Sequence, residues 1–245
     1  MDQRHYRRAP ITEAIIDLKV KARDGWTLPM VEKVRVGEEA AYPGTRQTAI
    51  AQELVEVGER VAASATQQQT GFAFVSADQK QVFQARLDGF TFNRLAPYES
   101  WEPFRNEAQR LWAVYRERLE PAAVTRLAVR YINRFDLPGA TVEMKEYFRT
   151  APEISPDLPQ VMNGFFMRVQ IPQDDLGGQL LINQTIIPPA RPGVVSVALD
   201  IDLFRDGDVP GDEAVIWQFF ERLHRRKNEV FEACITDRTR ELICS

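Results

Sequence analysis

Histidine and cysteine are nearly missing from this chain: its 245 residues hold two of each. His5 and His224 lie far apart, and Cys234 and Cys244 form no CxxC pair, which argues against a His/Cys zinc site. Two thiols without a framework read as reduced cysteines of a cytoplasmic protein. Long apolar runs are also missing. None approaches the roughly 18 residues that span a bilayer. The first ten residues, MDQRHYRRAP, are basic but lead into Ile11, Thr12 and Glu13 rather than a signal-peptide core. The expectation is a chain neither exported nor inserted, with a cytoplasmic location and no membrane partner.

Phosphate-binding and nucleophile motifs are lacking as well. There is no GxxxxGK[ST], GxGxxG or GxSxG. Two histidines leave little room for a Ser/His/Asp triad. Nor is there an excess of one sign of charge. With 31 basic and 35 acidic residues the net charge is −4, too balanced for a global field toward nucleic acid or anionic lipid. Nucleic acid is therefore not an expected partner, and no cofactor is implied.

Ordinary globular material is present: 44% apolar and 27% charged residues, enough for one compact unit over 1–245. Ala14, Ile16, Leu18 and Val20 alternate with Ile15, Asp17 and Lys19, which predicts a strand over Ile11–Val20. A short helix is expected between Pro29 and Gly37. Residues 38–70 are the hardest to read, and the glutamine run in Ser64–Thr70 suggests a solvated connection. A meander follows over Phe72–Val75, Val82–Leu87 and Phe90–Phe92, with Asp88-Gly89 as a tight turn whose glycine supplies positive φ. Ser100–Leu119 reads as a helix capped by Ser100, with Trp101, Phe104, Ala108, Leu111, Tyr115 and Leu119 on one stripe.

The second half repeats this order. A strand over Val124–Phe135 leads to a short helix over Met144–Arg149 and a proline-rich loop over 151–160. Strands follow over Phe165–Ile171, Leu180–Ile187 and Val194–Phe204, then a long helix over Asp212–Leu242. Two strand–helix–three-strand–helix halves, 1–121 and 122–245, suggest a weak internal duplication. The predicted class is α+β: a curved antiparallel sheet with helices on one face, of helix-grip or TATA-binding-protein-like kind.

Several stretches carry a resemblance to a known group. They are Ala9-Pro10-Ile11 with Glu13-Ala14, Phe92-Asn93-Arg94, Pro97-Tyr98, Trp101 and Phe104. Arg130-Tyr131-Ile132-Asn133, Lys227-Asn228, Phe231, Ile235 and Thr236 continue the series. Together they resemble a sporadically distributed family of uncharacterised bacterial proteins of about this length. The resemblance implies a bacterial, single-unit cytoplasmic protein. It carries over neither an activity nor catalytic residues.

One strand stands out for function. In Val124–Phe135, Leu127, Val129, Tyr131 and Phe135 face one way, and Arg126, Arg130 and Arg134 the other, spanning about 26 Å of a sheet face. Arginine suits bidentate contact with phosphate or carboxylate. Arg168 projects away from its own apolar set and extends the stripe. Asp200 and Asp202 leave the core on one side, and Glu13, Asp17 and Lys19 share a face of the first strand. The plain reading is a salt-bridged sheet surface, and the sharper one a polar groove for an anionic ligand. A loose likeness to triphosphate-tunnel enzymes gives a third reading. In it Asp200 and Asp202 hold a divalent metal while Arg126 and Arg130 hold phosphates.

On the last helix, His224-Arg225-Arg226-Lys227 spreads round the axis. Lys227 falls on the apolar seam between Leu223 and Val230, where its stem would lie along the core and its ammonium reach out to water. Cys234, on the same seam, reads as an inert buried thiol. The function expected from these features is a non-enzymatic binding or interaction module that holds a protein or an anionic small ligand. Its rival is a metal-dependent phosphoryl-transfer or hydrolytic enzyme.

Overall fold

The computed structural model describes residues 6, 8–54, 64–207, 209 and 211–244, with side chains at all of these except 50–54 and 64–67. Residues 1–5 and 7, His5 among them, lie outside these. The fold is mixed α+β: one antiparallel sheet of nine strands, not closed, and five α-helices among the described residues.

Strand β1 (Ile11–Lys21) is followed by α1 (Leu28–Glu32), then β2 (Gly44–Leu54), β3 (Ser64–Val75), β4 (Gln81–Arg86) and β5 (Gly89–Leu95), and helix α2 (Trp101–Leu119). The second half runs β6 (Ala123–Pro138), α3 (Met144–Tyr147), β7 (Phe166–Gln173), β8 (Gly178–Ile187), β9 (Val194–Asp206), α4 (Glu213–Cys234) and α5 (Asp237–Cys244). Across the sheet the order is β2-β3-β4-β5-β1-β6-β9-β8-β7. The opening strands of the two halves thus lie side by side at the centre, and each half runs outward to one edge.

Strand alternation decides which residues enter the core. Ala14, Ile16 and Leu18 on β1, Phe90 and Phe92 on β5, Val129 and Tyr131 on β6, and Ile201 and Leu203 on β9 are fully buried on one face. Helices cover that face. Phe92 stacks on Phe104 of α2 at 5.5 Å, Phe90 meets Trp112 at 5.9 Å, and Phe135 meets Phe231 of α4 at 6.3 Å. Burial of aromatic surface on this scale is the main favourable term in such a fold.

Several expectations about the elements change. The first half has four strands after its short helix, because the glutamine run belongs to β3 and pairs with β2 along its whole length. A run of polar residues can form a strand when its backbone is paired and its side chains alternate into solvent. Residues 64–70 of β3 outrun β4, whose pairing with β3 begins at Gly71. The long C-terminal helix breaks at Ile235, which is extended and bridges to Phe148, while Thr236 Oγ1 donates to the Tyr147 carbonyl at 3.2 Å. Ser100 takes the N-cap position of α2 but its side chain makes no cap bond. Gly89 does not have positive φ. It is needed because a Cβ there would stand 2.4 Å from the Leu18 carbonyl oxygen, so β5 and β1 approach too closely for any side chain.

Candidate functional site

The face away from the helices carries the predicted polar residues at the sheet centre. Alternation puts Asp17 of β1, Arg126 and Arg130 of β6, and Asp200 and Asp202 of β9 on it together, and strand register brings them into contact. Asp17 stands opposite Thr91 and Ala128, and Arg130 opposite Ile15 and Asp202.

Each guanidinium of this central group already has a carboxylate. Arg130 binds Asp200 through Nε and Nη2 at 2.8 and 2.7 Å, the fork geometry that makes such pairs strong. Asn183 of β8 donates to the same carboxylate at 3.0 Å. Arg126 is shared: its terminal nitrogens reach Asp17 at 3.1 Å and Asp202 at 3.4 Å, and its Nε faces Asp206 at 3.4 Å. Its guanidinium also lies 4.6 Å from the centre of the Phe204 ring. Asp17 accepts from Arg86 of β4 at 3.0 Å and from Thr91 at 2.6 Å, and Arg86 also contacts Thr91 and Asp88. The network therefore runs across five adjacent strands and on to β8, held at two levels by Arg126 and Arg130.

Two members keep unspent capacity. The Arg130 side chain is 43% exposed. Asp202 has a buried oxygen, Oδ1, with no hydrogen-bond partner among the described residues, and Asn183 Oδ1 is in the same condition. Burial pushes the Asp202 carboxyl up to about 6, against the pull of Arg126 and Arg130 and with help from Asp200 and Asp17.

Arg134 and Arg168 stand apart from this centre. Arg134 pairs with Asp136 at 3.0 Å and donates to the Pro188 carbonyl and Ser196 Oγ, both at 2.9 Å. It fastens the β8–β9 connection to β6. Arg168 is exposed on the edge strand β7, opposite Asn183 in register. Asp200 and Asp202 turn oxygens toward Arg130 and Arg126, and among the described residues no group of three or more His, Cys, Asp or Glu is placed to hold a metal ion. A hollow at the start of α4, lined by Leu127, Arg205, Val215, Ile216, Phe219 and Arg222, contains none of the predicted site residues.

Arg86, Thr91 and Asn183 were not among the residues singled out from sequence. Their signal was there: each alternates with buried neighbours in its strand. Which strands lie next to one another was the missing information.

On the helix side, Lys227 does not reach water. It is 7% exposed, and its ammonium sits 4.0 Å from the centre of the Tyr131 ring. Burial pulls the amine down to about 7. His224, one turn earlier, stacks on Trp101 at 4.3 Å, and burial with the nearby Lys227 lowers it to about 3. The Tyr98 and Tyr131 hydroxyls share a 3.0 Å hydrogen bond. Tyr98, Trp101, Phe104, Tyr131 and Lys227 all belong to the stretches that carry the family resemblance, and they meet in this cluster. Cys234 is buried, and burial raises its thiol, so it stays protonated as expected.

No protein-family model matches the chain, and no curated protein matches it.

Proposed function

We propose that this protein is a non-enzymatic binding module whose uncovered sheet face holds a polypeptide partner. The observation that carries this reading is the neutralised network on that face. Arg126 and Arg130 arrive already paired, so a bare phosphate would have to displace Asp200 or Asp202 to gain a bidentate contact. A peptide offers donors and acceptors together. Its carbonyls suit the exposed part of the Arg130 guanidinium.

The rival reading, a metal-dependent phosphoryl-transfer or hydrolytic enzyme, needs Asp200 and Asp202 free to coordinate. Their bonds to Arg130, Asn183 and Arg126 speak against it. We further take the architecture to be of helix-grip or TATA-binding-protein-like kind, built by duplication of 1–121 and 122–245. The mirrored strand order about β1 and β6 supports this. Membership in the bacterial family named above, and a cytoplasmic location, belong to the same proposal. The meeting of Tyr98, Trp101, Phe104, Tyr131 and Lys227 supports the former.

A displayed random-peptide library selected on the wild type tests the site. Peptides retained by the wild type and lost on the Arg130→Gln/Asp200→Asn double variant support the face. Binding that survives the double variant places the partner elsewhere. A rise of several degrees in melting temperature with tripolyphosphate and Mg²⁺, abolished by Asp200→Asn, would instead favour the enzyme.

A further inference from the structure

One edge of the sheet is β7, whose only strand partner among the described residues is β8. Four of the seven large apolar side chains exposed among the described residues lie on β7 or in the segment leading into it: Leu158, Val161, Phe166 and Ile171. Phe166 is 68% exposed. An unpaired strand edge flanked by exposed apolar groups is a template for another strand.

The β7 sequence, Phe-Met-Arg-Val-Gln-Ile-Pro-Gln, is self-complementary in one antiparallel register. With Val169 on a two-fold axis facing Val169 of a second copy, Arg168 lies opposite Gln170, Met167 opposite Ile171, and Phe166 opposite Pro172. Each apolar residue then meets an apolar one, and the single charge meets an amide. The neighbouring register centred on Arg168 would set two guanidiniums face to face, and like charges directly opposite are destabilising. Pro172 is compatible with an edge position. It is also a residue type that discourages random edge pairing, and so restricts which strands fit. Because each pair joins residues of the same parity, the polar face of one copy continues into that of the other.

We propose that β7 pairs antiparallel with β7 of a second copy of this chain, centred on Val169, to make a two-fold dimer with one continuous sheet. Antiparallel Cα–Cα spacings of about 4.5 or 5.5 Å at the centre both suit a disulfide.

Light scattering coupled to size-exclusion chromatography, and oxidative cross-linking, test it. Exposed Cys244 is first removed as Cys244→Ser. The wild type is expected at twice the chain mass at micromolar concentration. Val169→Cys should form an intermolecular disulfide in high yield, and Arg168→Cys should not, because Gln170 stands opposite. Val169→Lys, which puts two ammonium groups on the axis, should run as a folded monomer. Should that variant fail to fold, the cysteine pair still reports the register. A monomeric wild type at millimolar concentration would overturn the proposal, including the case in which another polypeptide covers β7. A dimer indifferent to Val169→Lys, or cross-linking through Arg168→Cys alone, would overturn it equally.

Discussion

Arg130 stands opposite Asp202 in the β6–β9 register but grips Asp200, two residue pairs along on the same face, with hydrogen bonds of 2.8 and 2.7 Å. The offset leaves Asp202 to Arg126, which also reaches Asp17 and Asp206. Asp200 is the more deeply placed partner, at 8% exposure. Removing Arg130 would strand a buried charge that Asn183 alone cannot balance. The pair is half open to water, which moderates the loss. Arg130→Ala should therefore cost about 1–2 kcal/mol, below the range for fully buried pairs. Adding Asp200→Asn should recover most of it. A double-mutant cycle by urea denaturation measures the coupling, and additive effects would show the two side chains to be independent.

Asp202 runs the opposite way from most carboxylates. Its pKa of about 6 lies above the ordinary value, so the folded state holds a proton that the unfolded state releases. That contribution is present near pH 4, falls as pH rises toward 6, and is gone above it. Asp202→Asn removes the dependence. The stability difference, variant minus wild type, should climb by up to about 1.4 kcal/mol per pH unit between pH 4 and 6 and then level off. Taking the difference cancels His224, which titrates over part of the same range. A flat difference would mean that the carboxyl ionises normally.

Lys227 gives a second pH signature, in a separate window. The folded amine titrates near 7 and the unfolded one near its usual value above 10, so the folded state binds fewer protons between them. Stability should rise with pH across that span, by up to about 1.4 kcal/mol per unit for one proton, and be flat below 7 from this group. Lys227→Met keeps the stem packed against Tyr131 and removes the amine. It should raise stability at pH 7 and abolish the slope between pH 7 and 10 in chemical denaturation. An unchanged slope would sink the assignment to Lys227. The charged groups nearby do not compensate: Glu221 is taken by Trp101 at 2.9 Å and by Arg105, and His224 is itself lowered.

How far such features could be read beforehand follows from periodicity. The side-chain parity of β1, β6 and β9 put Asp17, Arg126, Arg130, Asp200 and Asp202 on outward faces, and the structure puts these on one surface. Parity does not reveal pairing. Arg126 bonds a carboxylate over a hundred positions earlier and another more than seventy later, a convergence set by the sheet order alone. Lys227 lay on the apolar seam by its spacing. Its fate over a tyrosine ring, rather than in water, depended on how closely α4 sits on β6. β2 and the first part of β3 were missed because polar, glutamine-rich residues give no alternation of hydrophobicity to detect.

Gly89 offers the sharpest contrast between two physical reasons for one residue. Read as a turn glycine, it should tolerate asparagine, which enters the left-handed region more readily than other side-chain-bearing residues. Its φ is not positive, and a Cβ would lie 2.4 Å from the Leu18 carbonyl oxygen and 3.1 Å from Lys19 Cα. Close approach forbids every side chain alike, so Gly89→Asn and Gly89→Ala should be equally harmful. Each should cost about 1–3 kcal/mol by forcing β5 away from β1, beside the Thr91–Asp17 hydrogen bond of 2.6 Å. For a chain of this length that corresponds to a melting temperature lowered by roughly 2–12 °C. Thermal denaturation of the two variants side by side decides the matter. Equal losses mean that strand spacing fixes this position, and an asparagine variant close to wild type would return Gly89 to the role of a turn residue.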